Sequence, residues 1–185
     1  MAKLYFRYGA MGSSKTANAL MVAYNYKERG QKAILLKPSV DTRDGVNIIR
    51  SRIGLESECQ SLEYFISSVT DFNKISAIIV DEVQFATPYQ IEKLAEIVDY
   101  ANIPVICYGL KTDFQGHLFE GSKRLIELAD VIEEIKTVCW CGRAAKFNAR
   151  ICNDKIIKSG EQVVLGANES YISLCRKHYN AETLK

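Results

Sequence analysis

Residues 9–16 read Gly-Ala-Met-Gly-Ser-Ser-Lys-Thr and decide the fold of this 185-residue chain. An apolar strand candidate at residues 4–8 precedes them, and a helical run rich in Ala, Leu, Met and Val follows at residues 17–29. This order is typical of a P-loop, in which backbone N–H groups and a helix N-terminus cradle phosphate oxygens. The pattern predicts that Lys15 reaches the β- and γ-phosphates and that the Thr16 hydroxyl binds Mg²⁺.

One position departs from the G-x-x-x-x-G-K-[ST] pattern, because Ser14 stands where the second glycine is expected. We expect a serine there to need backbone angles that a β-carbon permits. Two interpretations are open at this point: a site for a nucleoside phosphate, or a polar strand-to-helix turn with an incidental lysine. The loop by itself predicts binding and does not predict a reaction.

The composition limits the kind of protein. Apolar residues make up 48% and charged residues 25% of the chain, which is typical of a globular protein and not of a disordered one. The net charge of +2 argues against a strongly basic nucleic-acid surface, and no apolar run approaches the ~20 residues that span a bilayer. We therefore expect a cytoplasmic protein whose partners include neither nucleic acid nor a membrane. The 6 cysteines then suggest metal ligands or buried thiols.

Strand and helix patterns alternate along the chain, which predicts an α/β fold with a parallel sheet and crossover helices. Residues 46–76 are harder to place, with Ile48, Ile49 and Ile53 on a possible strand. The remaining segments have clear patterns: strands at 33–37, 77–80, 105–108 and 131–138, and helices at 61–69, 89–101 and 122–129.

Acidic residues follow two of these strands, at the edge of the sheet where α/β proteins bind ligands. Asp81 comes directly after a buried strand, an arrangement that delivers a carboxylate to Mg²⁺ in P-loop enzymes. Glu82 would then lie beside the γ-phosphate, where it is either a base for an attacking hydroxyl or an exposed residue at a strand end. Asp41 and Arg43 either point toward a ligand or form a local ion pair.

The loop at residues 109–119 contains Phe114 and Phe119. Loops at this edge of a parallel sheet often carry function. The two rings either line a pocket for a flat molecule or anchor the loop to the core.

The chain changes character at Cys139. A Cys-x-Cys pair, Cys139 and Cys141, is matched near the end of the chain by Cys175 and His178. Two such pairs predict a Cys₃His zinc site that closes the intervening segment. The alternative is three cysteines and a surface histidine that never meet. Cys152 lies between the pairs and lacks a partner of its own.

Together these motifs resemble the type II thymidine kinases over nearly the whole chain. The resemblance is carried by the P-loop, Asp41-Thr42-Arg43, residues 80–85, the loop at 109–119, Gly166 with Tyr171, and the two metal-ligand pairs. It implies a RecA-like P-loop domain with a mostly parallel sheet at residues 1–138, and a small zinc-binding lasso domain at residues 139–185. It also implies transfer of the γ-phosphoryl group of ATP to the 5′-hydroxyl of thymidine, usually by a homotetramer.

The resemblance assigns a role to each matching position, with Glu82 as the catalytic base. The residues implied to bind the ATP phosphates are Gly9, Ala10, Met11, Gly12, Ser13, Ser14, Lys15, Thr16, Asp81 and Gln84, of which Thr16 and Asp81 hold Mg²⁺. The residues implied to surround the nucleoside are Asp41, Arg43, Phe85, Leu110, Phe114, Phe119, Val163, Val164, Leu165 and Tyr171. The implied ligands of a structural Zn²⁺ are Cys139, Cys141, Cys175 and His178.

Two other functions use the same motifs. A P-loop ATPase or nucleotide switch would use Glu82 to activate water and the zinc region to bind a partner. A binding module would have lost catalysis through Ser14. The three aromatic residues Phe114, Phe119 and Tyr171 favour a small pocket over a large interface. The predicted partners are ATP and thymidine, with deoxyuridine as an alternative nucleoside.

Overall fold

The computed structural model describes residues 1–162 and 170–185. The strands are β1 (Leu4–Tyr8), β2 (Ala33–Lys37), β3 (Ile48–Arg50), β4 (Glu56–Glu58), β5 (Gln60–Ser61), β6 (Ala77–Val80), β7 (Val105–Gly109), β8 (Val131–Glu134), β9 (Thr137–Val138), β10 (Ala144–Ala145), β11 (Phe147–Cys152), β12 (Lys155–Ile157) and β13 (Ser170–Leu174). The helices are α1 (Lys15–Glu28), α2 (Leu62–Ser68), α3 (Pro88–Ala101), α4 (Glu120–Leu128) and α5 (Arg176–Asn180), and a 3₁₀ turn spans Val83–Phe85.

The central sheet has six strands in the order β5-β2-β6-β7-β1-β8, and each neighbouring pair is parallel. This confirms the predicted α/β class. The P-loop strand β1 lies between β7 and β8, so the loop that follows it emerges at the same edge as the loops after β6 and β7. Parallel strands therefore bring the three predicted site segments together.

Helices cover both faces of this sheet. Because successive side chains of a strand point to opposite sides, a strand in such a sheet is buried along its whole length. All residues of β6 are buried. Ile78 and Val80 belong to one hydrophobic cluster with residues of α2, α3 and α4, whereas Ile79 belongs to a second cluster with residues of α1. The run of four apolar residues before Asp81 thus holds that carboxylate on a rigid, doubly covered strand.

Two predicted strands differ from the structure. The strand expected at residues 131–138 is split, because β1 ends at Tyr8, opposite Glu134, and offers no further partner in the sheet. Its last two residues, β9, pair instead with β10. Ile53, expected on a strand, is exposed in the turn between β3 and β4.

The C-terminal residues form a small module with a core of its own. It contains the β9–β10 hairpin and the three-stranded antiparallel sheet β12-β11-β13. Its buried core includes Ala149, Leu174 and Tyr179 together with two of the predicted metal ligands, Cys139 and Cys175. No helix within residues 1–162 and 170–185 is long and apolar enough to cross a membrane.

Candidate active site and metal centre

The loop at residues 9–16 connects β1 to α1 in a tight conformation. A β-carbon at Gly9 would collide with the Ser13 hydroxyl and with the Ile135 carbonyl oxygen, so only glycine fits there. Ser14 is the N-cap of α1 and has the left-handed angles φ 60° and ψ 25°. The expectation that Ser14 would take angles suited to a β-carbon is therefore wrong. The loop keeps the backbone of a glycine at a position where the chain has a serine.

Ser14→Gly is expected to raise the free energy of unfolding by roughly 0.5–1 kcal/mol. Left-handed backbone is unfavourable for a residue with a β-carbon, and the greater freedom of glycine in the unfolded chain cancels part of the gain. Urea denaturation measures the change. Ser67→Gly, on the exposed side of α2, is the control and is expected to lower stability, since glycine is a poor helix former. A Ser14→Gly protein less stable than the original would mean that contacts of the serine hydroxyl outweigh the backbone strain.

Lys15 and Asp81 lie side by side under the loop. Lys15 Nζ donates to the Ala10 carbonyl oxygen at 2.8 Å and to Ser13 Oγ at 3.3 Å, and burial lowers the pKa of this amine. Burial, together with the neighbouring Glu82 charge, raises the pKa of Asp81 to about 7 against a hydrogen bond from the Thr16 side chain. A buried carboxylate beside a hydroxyl offers the oxygen ligands that Mg²⁺ prefers, and a cation there would keep Asp81 ionised.

A chain of charged side chains leads from β2 to Glu82. Lys37 Nζ is 3.9 Å from Asp41 Oδ2, Asp41 Oδ1 accepts a hydrogen bond from Arg43 Nε at 2.7 Å, and Arg43 Nη2 is 2.6 Å from Glu82 Oε1. Burial alone would raise the pKa of Asp41, but the hydrogen bonds and charge of Arg43 hold it below its usual value. Asp41 and Arg43 therefore do form a local ion pair, and Arg43 extends it to the predicted base. Asp41 itself is buried behind Arg43.

Gln84 joins two parts of the site through its side-chain amide. Its Nε2 donates to Glu82 Oε2, and its Oε1 accepts the Leu110 backbone N–H at 3.0 Å. A β-carbon at Gly109 would stand 2.6 Å from Gln84 Oε1, so the glycine lets this side chain pass under the loop after β7. The carboxylate of Glu82 is thus held between Arg43 on one side and Gln84 on the other.

An aromatic wall faces Glu82 across the cavity. Phe85 and Phe119 meet edge to face with ring centroids 5.9 Å apart, and Phe114 is buried with 2% of its surface exposed. Leu110 and Tyr171 complete the part of the wall that the structure describes. Val163, Val164 and Leu165, which were also predicted to surround a nucleoside, lie outside the described residues.

A single cavity of about 790 Å³ joins the phosphate loop to this wall. Its size is within the range of small-molecule sites. Residues 11–17 line one end, Glu82 and Gln84 the middle, and the aromatic side chains the other end. The structure therefore places most of the predicted phosphate, base and nucleoside residues around one cavity. Among these predicted residues, the described ones that do not line it are Gly9, Ala10, Asp41 and Asp81.

Three side chains of the C-terminal module form hydrogen bonds with the phosphate loop. Asn148 Oδ1 accepts the Met11 backbone N–H at 2.8 Å, Ser173 Oγ donates to the Met11 carbonyl oxygen, and Thr137 Oγ1 donates to the Gly12 carbonyl oxygen at 3.3 Å. Strands β11 and β13 thus contribute to the loop end of the cavity and, through Tyr171, to the aromatic end. The two parts of the chain build one site.

The predicted metal ligands come together at the far side of the module. The ligand atoms of Cys139, Cys141, Cys175 and His178 all lie within 4.8 Å of one another. His178 Nδ1 is 3.4 Å from Cys139 Sγ and 3.6 Å from Cys175 Sγ, and the sulfurs of Cys141 and Cys175 are 3.9 Å apart. A tetrahedral zinc ion with ordinary bond lengths needs ligand separations of roughly 3.6–3.8 Å. The residues therefore fit a structural zinc ion.

The electrostatics of Cys139 agree with metal binding. Burial opposes ionisation of Cys139, but hydrogen bonds from the Cys141 and Cys175 backbones and from His178 lower its pKa to about 6. A thiolate is the form that binds zinc. The indole of Trp140 stacks on the His178 ring at 4.1 Å and thereby fixes the ring plane. Cys152 is not part of the cluster that the described residues form.

Three residues of this site were missed by the sequence analysis. Lys37 holds the loop after β2, since its Nζ donates to the Gly45 and Ile48 carbonyl oxygens at 2.7 and 2.8 Å. A charge ending the apolar run Ala-Ile-Leu-Leu was the available signal. Arg52 and Arg150 carry no local signal, because their importance comes from segments distant in sequence.

Arg52 occupies the turn between β3 and β4 and lines the cavity close to the phosphate loop. Its Nη1 is 3.9 Å from the place that a β-carbon of Gly12 would take, and its charge helps to lower the pKa of Lys15, after the larger effect of burial. The turn is rigid, because Ser51 Oγ accepts the Leu55 N–H at 3.0 Å. Within residues 1–162 and 170–185 the Arg52 guanidinium forms no hydrogen bond or salt bridge.

Comparison with known proteins places this geometry in a family. The thymidine kinase family model matches residues 2–179. Among curated proteins, the chain is 44% identical to a thymidine kinase of Francisella tularensis subsp. holarctica, with 97% of each chain covered. It is 46% identical to a thymidine kinase of Zymomonas mobilis, covering 97% of this chain and 96% of the other, and 45% identical to one of Lactococcus lactis, covering 97% of both. The chain belongs to the thymidine kinase family.

Proposed function

We propose that the protein transfers the γ-phosphoryl group of ATP to the 5′-hydroxyl of thymidine, forming thymidine monophosphate and ADP. The observation that carries this function is the position of Glu82, in one cavity between a phosphate loop and an aromatic wall. Membership of the thymidine kinase family supports the same reaction. An ATPase would need no apolar pocket at the far end of the cavity, so the wall favours a kinase.

The loop end of the cavity is proposed to bind ATP. The backbone N–H groups of residues 9–16 and the N-terminus of α1 suit the phosphates, with the Lys15 ammonium as the positive charge among them. Thr16 and Asp81 would hold Mg²⁺, which neutralises charge on the phosphates when bound. The paired hydroxyl and buried carboxylate support this assignment. Gln84, whose amide is engaged with Glu82 and Leu110, is better assigned to positioning Glu82 than to binding phosphate.

The other end is proposed to bind the nucleoside, with the thymine ring against Phe114 and the Phe85–Phe119 pair. This places the sugar near Glu82. Glu82 would then orient the 5′-hydroxyl and accept its proton as the oxygen attacks the γ-phosphorus. Arg43, which pairs with Glu82 at 2.6 Å, would turn toward phosphate oxygens once a substrate hydroxyl binds the carboxylate. Closure of the site would exclude water, which competes as an acceptor.

Arg52 is proposed to be an additional phosphate ligand. Lys15 and Arg52 are two cations that line the same cavity as the loop, and Arg52 has no anionic partner in the described part of the chain. A bound polyphosphate would supply the missing negative charge.

Arg52→Ala is expected to raise the KM for ATP by about tenfold, since a charge-assisted hydrogen bond contributes ~1.5–3 kcal/mol. The KM for thymidine is expected to stay within about twofold. Steady-state kinetics measures the KM for ATP at saturating thymidine and the KM for thymidine at saturating ATP. Arg50→Ala is a matched control on the same hairpin, because Arg50 pairs with Glu56 at 2.9 Å. Equal ATP constants for the two variants would contradict the phosphate contact.

Several features of the proposal stay predictions. We propose that residues 1–138 act as the kinase domain and residues 139–185 as the zinc-bearing domain, although β9 at the boundary pairs within the second part. The homotetramer that the family resemblance implies is testable by light scattering on the purified protein. A cytoplasmic location is likewise a prediction.

The reaction is tested by measuring ADP release from Mg²⁺-ATP with and without thymidine, and with the other deoxynucleosides, deoxyuridine included. Stimulation by thymidine, with thymidine monophosphate formed in equal amount, is the expected result. ADP release that ignores thymidine would instead favour an ATPase with a partner-binding zinc region. No ADP release, with ATP still bound, would favour a binding module.

A further inference from the structure

Arg150 is a buried charged residue in the middle of β11, with 2% of its surface exposed. Side chains of a strand alternate between two faces. Ala149 packs into the core of the C-terminal module, whereas Asn148 and Arg150 point the other way and contact the P-loop domain. The proposed reaction has no role yet for this arginine.

The Arg150 guanidinium donates hydrogen bonds from its edge and stacks its flat face on an aromatic ring. Its Nε donates to Tyr171 Oη at 2.8 Å, its Nη1 to the Glu161 carbonyl oxygen at 2.9 Å, and its Nη2 to the Gln162 carbonyl oxygen at 3.3 Å. The flat face lies on the ring of Phe114, with the guanidinium carbon 3.7 Å from the ring centroid. Such stacking on an aromatic ring is favourable for a planar cation.

These contacts end on residues that line the cavity. Phe114, Gln162 and Tyr171 all line the cavity, and Gln162 Nε2 extends the connection to Asp113 Oδ2 at 2.8 Å. The three cavity residues come from three separate segments: the loop after β7, the chain after β12, and β13. One side chain therefore sets the relative positions of segments that share no strand pairing at this point, except β11 with β13.

The backbone of Phe114 is held independently. Its carbonyl oxygen accepts a hydrogen bond from Tyr179 Oη at 2.6 Å, so the main chain is fixed by α5 while the ring is fixed by Arg150. Loss of the arginine would leave the loop in place and release only the ring and the segments facing it.

We propose that Arg150 is a positioning residue for the nucleoside: it fixes the wall that receives the thymine ring and contacts neither ATP nor the reacting atoms. This inference rests on the proposed function, because it takes the aromatic end of the cavity as the thymidine site. A lysine would keep the charge but cannot stack as a plane while donating from three nitrogens.

The test is Arg150→Lys, assayed by steady-state kinetics and by calorimetric titration with thymidine. We expect the KM and Kd for thymidine to rise about 10- to 100-fold, because small displacements of a binding wall are costly. The kcat at saturating thymidine, the KM for ATP and the zinc content are expected to stay within about threefold. Arg176→Lys, an exposed arginine on α5 in the same module, is the control and should change none of these quantities.

A thymidine KM that stays unchanged in Arg150→Lys would overturn the inference. So would a parallel loss of kcat, ATP affinity and zinc, which indicates a role in stability alone. If Arg150→Lys does not fold, Tyr171→Phe removes only the hydroxyl that accepts from Nε, and it is expected to raise the thymidine KM about threefold or more; no change would again overturn the inference. The unmodified protein is assayed in parallel, and its failure to phosphorylate thymidine would contradict the proposed function instead.

Discussion

Glu82→Gln is expected to lower kcat for thymidine phosphorylation by about 10²- to 10⁴-fold, the usual contribution of a general base. The amide has the shape of the carboxylate but cannot accept the proton of the 5′-hydroxyl. Rapid quench at saturating ATP and thymidine measures the chemical step directly, so that a slow product release does not hide the effect.

ATP binding is expected to survive this substitution. The Glu82 charge contributes, after burial, to the raised pKa of Asp81, so its removal favours the ionised Asp81 that would hold Mg²⁺. Phosphate contacts of the loop at residues 9–16 are unaffected. Titration with a non-hydrolysable ATP analogue is therefore expected to give a Kd within about threefold of the original.

The control is Asp44→Asn, which removes an exposed carboxylate at the edge of the same cavity. Its kcat is expected to stay within about threefold, because within residues 1–162 and 170–185 Asp44 forms no hydrogen bond or ion pair with Glu82 or with the phosphate loop. A Glu82→Gln protein with near-normal kcat would show that another group accepts the proton.

The second large effect is expected for the metal centre. Cys175→Ser should abolish high-affinity zinc binding, since a structural zinc ion contributes about 10–16 kcal/mol to the folding of its site and a serine is a poor ligand for it. Cys175 is buried and lies between Cys141 and His178, so no described neighbour replaces its sulfur. Zinc content measured by atomic absorption is expected to fall from about one ion per chain to a small fraction.

The loss of zinc should raise the KM for thymidine more than the KM for ATP. The module carries Tyr171 and Arg150 at the nucleoside end of the cavity, so the KM for thymidine is expected to rise most. It also holds Met11 through Asn148 and Ser173, so a smaller rise in the KM for ATP is expected. Cys152→Ser, in the same module but outside the cluster, should keep both zinc and activity. Full zinc occupancy in Cys175→Ser would contradict the assignment of Cys175 as a ligand.

Sequence patterns predicted the features of this protein that depend on residues close together in the chain. The P-loop follows from a strand, a glycine turn and a helix that are contiguous, and Asp81 follows from a buried strand that ends immediately before it. The cysteine pairs predicted a metal site because each pair is presented by one tight turn. The strand at 131–138 was predicted wrongly at its end, since its length depended on where β1, far away in sequence, stops.

At Ser14 the observed backbone conformation differs from the one that a serine prefers. A serine predicts backbone angles suited to its β-carbon, yet the loop imposes the left-handed conformation. The loop is tightly packed, because a β-carbon at Gly9 would collide with the Ser13 hydroxyl and the Ile135 carbonyl oxygen. Packing of the loop outweighs the preference of one residue, which amounts to only ~1–2 kcal/mol.

The sequence by itself therefore determined the α/β class, the strand-loop-helix unit at residues 4–28, the acidic pair after β6 and the members of the cysteine-histidine cluster. Only the tertiary structure decided that Arg43 meets Glu82, that Gln84 accepts the Leu110 backbone N–H, that Arg52 lines the cavity, and that Arg150 stacks on Phe114. Each of these contacts joins segments that are separate in the chain and meet only after the sheet and the module have folded. Their energies depend on distance and burial in three dimensions, and no spacing of residues along the chain encodes either quantity.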